Sequence, residues 1–471
     1  MITTAEQFDL VVIGGGPGGY AAALYGASAG MRIAMIEDRW VGGTCLHVGC
    51  IPAKELLETA TVARTVRGAA EFGVEVGGVD TLAINLEATQ KRKHEVIDRL
   101  TKGLETLLKG RKVTVVPGTG RLLDGPGRLV GVSDGTELRG TNVLVATGSL
   151  PRSLPIPGLE FDGERVLSSD HILDLTTVPR RVAVIGGGAI GCEFASYLCD
   201  VGSEVTVLEA LPQVLTGVDA QVAQTVVRSF KKRGIDTQVG VKITAADTKG
   251  DAVTIHYEGK QGATALEVDT VVVSVGRRPR SEGIGLLEGG VAVDARGFVT
   301  VDGAMHTSVP GVYAVGDVVD TPQLAHVAFA EAIFAIKDML GERPAPLDYG
   351  KVPWGIYCHP EVAFCGLTEE RAREAGYEVD TSAHRFIGNG RALIVGEPDG
   401  LVKIVAEKST GVLLGVHICG PWATELIAEG YLSVNWEATA ADLGTLIHAH
   451  PTLSELFGES ALALTGRSLH G

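Results

Sequence analysis

The sequence predicts an α/β protein: two doubly wound, parallel-sheet units followed by an α+β tail. Three observations carry that prediction. A buried-strand pattern running into a glycine loop and a small-residue helix occurs twice. Each copy closes on a second strand and an acidic residue at matching spacing. The pattern then stops after Pro344-Ala-Pro346. At 471 residues the chain is too long for one hydrophobic core and must divide.

In chain order, residues 8–13 form an apolar run suited to a strand covered on both faces. Gly14-x-Gly16-x-x-Gly19 and an alanine-rich helix follow, then a strand over 33–37 that ends in Glu37. The second copy has a strand at 181–185, the loop Gly186-x-Gly188-x-x-Gly191, a helix, and a strand at 205–209 ending in Glu209. Gly14 and Glu37 are as far apart as Gly186 and Glu209. One glycine loop is weak evidence. Strand, loop, helix, strand and acid in this order, twice, predict two Rossmann-like dinucleotide-binding domains. The glycines let the backbone approach a pyrophosphate at a helix N-terminus, and the acid accepts hydrogen bonds from ribose hydroxyls.

Residues 85–109 predict a long charged helix between units. Two strand-to-glycine junctions, at 143–148 and 271–276, mark where the chain leaves one nucleotide domain for the next. Residues 310–317 predict a strand ending in Asp317, well placed to hold a cofactor hydroxyl. Beyond Pro346, residues 399–417 read as two strands around Ser409-Thr410-Gly411, with helices after them and no nucleotide signature. The expected division is 1–149, 150–276, 277–346 and 347–471.

Composition narrows the class. The chain is 45% hydrophobic and 21% charged, with 63 glycines, as a soluble globular enzyme would be. A net charge of −16 leaves no basic face for nucleic acid. Residues 10–31 lack charge and are long enough to mimic a membrane span, but the glycines in their middle make them a strand, a loop and a helix start. No signal-peptide pattern accompanies them, so a cytoplasmic location is expected, with no membrane partner. Seven irregularly spaced cysteines fit a reducing compartment, where a disulfide would be catalytic. No metal-ligand cluster is evident.

Two of those cysteines lie in Gly42-Gly43-Thr44-Cys45-Leu46-His47-Val48-Gly49-Cys50-Ile51-Pro52-Ala53-Lys54, just after the first dinucleotide unit. Positions five apart on a helix are about 140° out of phase, so Cys45 and Cys50 need an irregular turn to bond. Gly49 is the residue expected to supply it. Pro52 suits the first turn of a helix expected over 54–66, and Cys50 near its N-terminus gains a dipole that favours the thiolate. A dithiol beside a nucleotide fold predicts electrons passing between a sulfur pair and a cofactor. Lys54 reads as a cation near that cofactor, with Glu193 its expected acidic partner. Cys192, Cys199, Cys358, Cys365 and Cys419 lack such a loop and read as packing.

The other chemical segment is His448-Ala449-His450-Pro451-Thr452-Leu453-Ser454-Glu455. A thiol of pKa about 8.5 is only a few per cent ionised at neutral pH, so a thiol substrate needs a base. A histidine oriented by a carboxylate is suited to that task. Thr452-x-x-Glu455 is equally a capping box for a helix to about residue 464. Composition does not separate His448 from His450.

Taken together, residues 14–19, 42–54, 147–149, 186–193, 311–317 and 448–455 resemble the flavoprotein disulfide reductases over nearly the whole chain. The resemblance implies FAD held by Gly14, Gly16, Gly19, Glu37, Lys54, Thr147, Gly148, Ser149 and Asp317. It implies NAD at Gly186, Gly188, Gly191 and Glu209, with Gly276 nearby. It implies a homodimer built through the C-terminal domain, in which one subunit completes the other's active site. By the same resemblance His450 is the base, Glu455 its partner, Cys45 the thiol exchanging with substrate, and Cys50 the thiol against the flavin. Within the family the likeness is strongest to members that oxidise a protein-bound dihydrolipoyl group. That implies the lipoyl domain of a 2-oxoacid dehydrogenase or glycine cleavage complex as partner.

Two departures stand out: His47 where the family often has asparagine, and Ala53 where serine is common. Two rival readings are weaker. An NADPH-dependent reductase of a small disulfide such as glutathione needs a cation for the 2′-phosphate, yet no Arg or Lys lies between Val182 and Val227. A scaffold subunit without turnover would not need Cys45, Cys50, His450 and Glu455 together.

Overall fold

The structure is a computed structural model and describes residues 6–470 except 249, 251 and 261. Two compact units emerge from the contacts. The first comprises residues up to 56, 87–152 and 276–349; the second comprises 57–86, 153–275 and 350–471. Among the described residues, no helix is long and apolar enough to cross a membrane.

In the first unit the apolar run becomes β1 (Glu6–Ile13), flanked in parallel by β2 (Ile33–Glu37) and by the strand Glu137–Val145. Leu10, Val11 and Val12 are fully buried, as expected where helices and loops cover both faces of a parallel sheet. Leu10 and Val12 pack into one core with Ala22 and Ala23 of α1 (Pro17–Ser28); Val11 and Ile13 pack into the other with Val130, Val312 and Val318. The strand expected near 310–317 is Val312–Ala314, and it joins the far side of Glu137–Val145. Residues beyond 276 thus complete the first sheet, and the strand ends at Ala314, short of the expected Asp317, which lies in the turn Gly316–Val318.

The redox segment forms two helices, α2 (Gly43–His47) and α3 (Cys50–Gly68). The second starts at Cys50, four residues before the expected start, with Pro52 in its first turn. The long charged helix is α4 (Leu86–Gly110).

In the second unit a five-stranded parallel sheet places Arg181–Ile185 between Glu204–Glu209 and Thr270–Val273, with α5 (Ala189–Val201) following the second glycine loop. The tail is an antiparallel sheet of five strands, including the expected pair, now Leu401–Glu407 and Leu413–Cys419. Its helices Ala423–Asn435 and Glu455–Leu464 bury Ile427, Leu456, Phe457 and Ala461.

A histidine clamp fastens the part of the first unit that carries Asp317. His306 binds Asp302 through Nδ1 at 3.0 Å and Asp338 through Nε2 at 2.8 Å, and Tyr313 donates to the same Asp338 oxygen at 2.9 Å. Asp338 sits near the end of the helix Ala325–Met339, so the clamp joins that helix to the strand before Asp317. Burial alone would lower the His306 pKa, but the hydrogen bonds and charges of the two aspartates outweigh it and raise it. A histidine that holds its proton more tightly when folded stabilises the fold fully below its unfolded pKa of about 6.5. That contribution is lost as pH rises through the folded pKa. His306→Gln should therefore lower the melting temperature more at about pH 5.5 than at about pH 9. Equal losses in thermal melts at the two pH values would show that the charge on His306 contributes nothing.

Candidate active site

The two glycine loops have the same local geometry because the same steric problem recurs. Gly14 has φ +106° and Gly186 φ +101°. A Cβ on Gly14 would lie 2.4 Å from the Ala146 carbonyl oxygen, and one on Gly186 would lie 2.5 Å from that of Ser274. At Gly19 and Gly191 a Cβ would fall 1.8 and 1.9 Å from the oxygens of Gly14 and Gly186. Only glycine permits these approaches. Gly16 and Gly188 then precede α1 and α5 in extended conformation, with no side-chain cap on either helix. The first-turn amides are left for an anion.

The acids are fixed in parallel as well. Glu37 accepts from the Gly15 amide at 2.6 Å and from the Arg39 amide at 2.8 Å. Glu209 accepts from the Gly187 amide at 2.6 Å and from the Leu211 amide at 2.7 Å. Both carboxylates are oriented by backbone and keep lone pairs for a diol. The glycine cradle, the uncapped helix start and the oriented acid fit a dinucleotide at each loop.

Beside the first loop, the α2–α3 pair brings the cysteines together. The break lies at Val48 (φ −138°, ψ 32°). Gly49 serves by its size: a Cβ there would sit 2.9 Å from the Thr44 carbonyl oxygen, and its φ is not positive. The Cys45 and Cys50 side chains are hydrogen-bonded to each other. That bond raises the Cys45 pKa most, followed by burial and the charge of Cys50, while Lys54 and the Cys50 backbone pull it down. Tyr20 is pushed up to about 12 by burial and by the two sulfurs. Glycine also seats α2 on the nucleotide loop: the Gly42 amide donates to the Gly15 carbonyl at 2.8 Å, and a Cβ on Gly43 would lie 2.5 Å from Gly16 Cα.

Residues 147–149 and Asp317 also meet. Ser149 Oγ donates to Asp317 Oδ2 at 2.6 Å, and Thr147 Oγ1 to the Arg280 carbonyl at 2.7 Å. Gly148 (φ +73°) accepts from the Arg280 amide. Gly276 (φ +106°) accepts from the Arg152 amide. Glu193 is buried and accepts from the Tyr357 amide at 2.9 Å.

The C-terminal histidines separate. His448 is nearly buried and binds Glu429 at 2.7 Å. His450 presents a ring 79% exposed and binds Glu455 Oε1 through Nδ1 at 2.8 Å. Glu455 Oε2 accepts from the Thr452 amide at 2.8 Å, which is half of a capping box. The other half is not made: the helix begins at Glu455 after Ser454 with no side-chain cap, and Thr452 Oγ1 donates to the Ala449 carbonyl. One carboxylate therefore orients the imidazole and starts the helix. Burial raises the Glu455 pKa, but the Thr452 amide and His450 outweigh it and lower it.

Sequence reasoning missed several supports. Arg277 donates to Ser149 Oγ at 2.7 Å, and Arg280 pairs with Asp38. Buried Glu331 accepts from the Gly316 amide at 2.6 Å and from the Tyr349 hydroxyl at 2.9 Å, fixing the turn that carries Asp317. The one local signal was the acid Asp38 directly after Glu37; Arg277 and Arg280 lie more than a hundred positions from their partners, and Glu331 belongs to no motif that marks its pairing.

Residues 8–332 match the family described as pyridine nucleotide-disulphide oxidoreductase, and residues 352–461 match its dimerisation domain. The chain is 42% identical over 479 residues to a dihydrolipoyl dehydrogenase of Bacillus subtilis, covering 99% of this chain and 100% of the relative. It is 42% identical over 468 residues to a dihydrolipoyl dehydrogenase of Thermus scotoductus, covering 99% of each. The crystal structure of LpdA from Mycobacterium tuberculosis superimposes with a TM-score of 0.89 at 28% identity, covering 98% of this chain and 100% of that one.

The backbone contact at Gly43 has a testable consequence. Gly43→Ala puts a side chain at φ +59° and against a backbone atom that cannot give way. It should cost about 2 kcal/mol or more. Gly188→Ala, in open space at ordinary φ, should leave thermal melting nearly unchanged.

Proposed function

The chain belongs to the pyridine nucleotide-disulphide oxidoreductase family, and from that premise we propose that it is a dihydrolipoyl dehydrogenase. It oxidises protein-bound dihydrolipoamide to lipoamide and reduces NAD. The observation that carries this reading is the Cys45–Cys50 pair, hydrogen-bonded together on a turn seated against the first nucleotide loop. FAD is held by Gly14, Gly16, Gly19, Glu37, Lys54, Thr147, Gly148, Ser149 and Asp317. NAD is held by Gly186, Gly188, Gly191 and Glu209. The working division is 1–149 for FAD, 150–276 for NAD, 277–346 completing the FAD site, and 347–471 for dimerisation. When bound, FAD and NAD supply the electron and hydride chemistry.

The chain's own residues manage sulfur and protons. His450, oriented by Glu455, takes a proton from one substrate thiol. The thiolate attacks Cys45 of the Cys45–Cys50 disulfide, and the Cys50 thiolate leaves. The second substrate thiol then displaces Cys45, releasing lipoamide and leaving the enzyme as a dithiol. Cys45 is suited to hold the proton of that dithiol, since its pKa is raised. Lys54 offsets the charge left at Cys50. The exposed His450 ring suits a site completed by a second copy of the chain. The partner bearing the substrate is the lipoyl domain of a 2-oxoacid dehydrogenase or glycine cleavage complex.

Glu209 favours NAD, since a carboxylate fixed at the ribose position repels a 2′-phosphate and no Arg or Lys lies between Val182 and Val227. The test is NAD reduction driven by dihydrolipoamide, with NADPH plus oxidised glutathione run in parallel. Fast NADH formation with a silent second assay is expected; the reverse result would move the chain to the NADPH-dependent reductases. His450→Ala should lower turnover by roughly 10²- to 10⁴-fold with flavin retained. Near-normal turnover would reduce Glu455 and its neighbours to helix capping.

A further inference from the structure

The peptide unit between Val41 and Gly42 is held from both sides. Its N–H, on Gly42, donates to the Gly15 carbonyl at 2.8 Å. Its C=O, on Val41, lies 2.9 Å from His47 Nε2. A carbonyl only accepts, so Nε2 carries the proton and donates. The Thr101 hydroxyl of α4, 3.5 Å from Nε2, gives its own proton to the Ile97 carbonyl and so does not compete for the donor role. On its face the imidazole stacks on Trp40, with ring centroids 5.2 Å apart and planes 24° from parallel.

These contacts close a circuit. Glu37 binds the amides of Gly15, Arg39 and Trp40. Trp40 stacks on His47, His47 holds the Val41 carbonyl, and the same peptide returns to Gly15. His47 is the last residue of α2, whose third residue is Cys45. The side chain therefore ties the end of the cysteine-bearing turn back to the peptide by which that turn is entered. Without it, α2 keeps the Gly42 and Gly43 contacts at its start and the buried Leu46 side chain, but its last residue has no polar tie to the entering peptide.

We propose that His47 is a positioning residue that fixes Cys45 opposite Cys50 by closing α2 onto the Val41–Gly42 peptide. This rests on the reading of Cys45 and Cys50 as the redox pair. The effect is one of preorganisation. Two thiols held in bonding geometry form their disulfide at high effective concentration, and loosening one of them lowers the equilibrium constant. One neutral hydrogen bond is worth about tenfold or somewhat less in such an equilibrium.

The test is the equilibrium of the holoenzyme with glutathione, in which the dithiol plus oxidised glutathione gives the disulfide plus two reduced glutathiones. Samples are quenched with an alkylating reagent, and Cys45 and Cys50 are scored by mass spectrometry, so no turnover is involved. His47→Phe keeps an aromatic face and removes the donor; His47→Leu is a smaller non-donor. His47→Gln keeps a donor of similar reach. The Phe and Leu variants should lower the equilibrium constant about tenfold, which is about 30 mV for a two-electron couple. The Gln variant should stay within about twofold of the parent, by the same hydrogen-bond argument. Phe and Leu variants equal to the parent, or a Gln variant as low as they are, would overturn the proposal. The outcome is separable from the assigned reaction. A parent that ignores dihydrolipoamide but shows the expected variant series refutes the activity and keeps the role of His47. A parent that never forms the Cys45–Cys50 disulfide refutes both.

Discussion

The arrangement depends on a hydrogen bond made twice: a glycine amide to the carboxylate that ends the next strand. Gly15 to Glu37 and Gly187 to Glu209 are both 2.6 Å. Each bond links the loop after one strand to the tip of its neighbour, so the loop's path follows from the sheet register. The register is in turn fixed by a core in which the inner strands are buried on both faces. A sheet slipped by one residue would turn the acid away from the amide and put polar side chains into the core. The cavity for a dinucleotide is therefore a by-product of strand pairing that the apolar sequence already enforces.

Much of this was legible locally. Strand, glycine loop, helix and acid are all defined by neighbours within a few dozen residues, and the observed β2 and Arg181–Ile185 have the expected limits. The start of α3 was set too late because Cys50 and Ile51 carry no helix signal; the turn forms since α2 ends abruptly at Val48. Gly49 fits the expected role in part. The residue must be small, but the irregular backbone belongs to Val48. His448 and His450 looked alike because only tertiary packing buries the first against Glu429 and leaves the second open. The supports at Arg277, Arg280, Glu331 and Tyr349 were not readable, since contacts such as Arg280 to Asp38 join residues more than two hundred positions apart. Long-range polar pairing leaves no periodic trace.

Electrostatics divides the labour among the sulfur and histidine groups. Cys45 is half-buried and shares a hydrogen bond with its neighbour; that bond and burial raise its pKa, while Lys54 lowers it. The His450 ring is open, with its Nδ1 committed to Glu455. That commitment leaves Nε2 as the nitrogen able to meet a substrate thiol. The acid keeps its charge because the Thr452 amide and the imidazole both favour the ionised form. In the proposed mechanism, proton transfer at His450 is oriented by its fixed partner Glu455.

The contact between Gly43 and Gly16 has a different kind of consequence. Two α-carbons meet with no side chain on either, and a Cβ on the first would come within 2.5 Å of the second. Most packing contacts can be graded, a methylene at a time, through a ladder of residue sizes. This one has no rungs: it is made by glycine or it is not made. The spacing between sulfur pair and nucleotide loop is consequently an inherited constant of the scaffold, closed to gradual adjustment. Any change in how far the pair reacts has to be made at positions around that contact, where side chains come in more than one size.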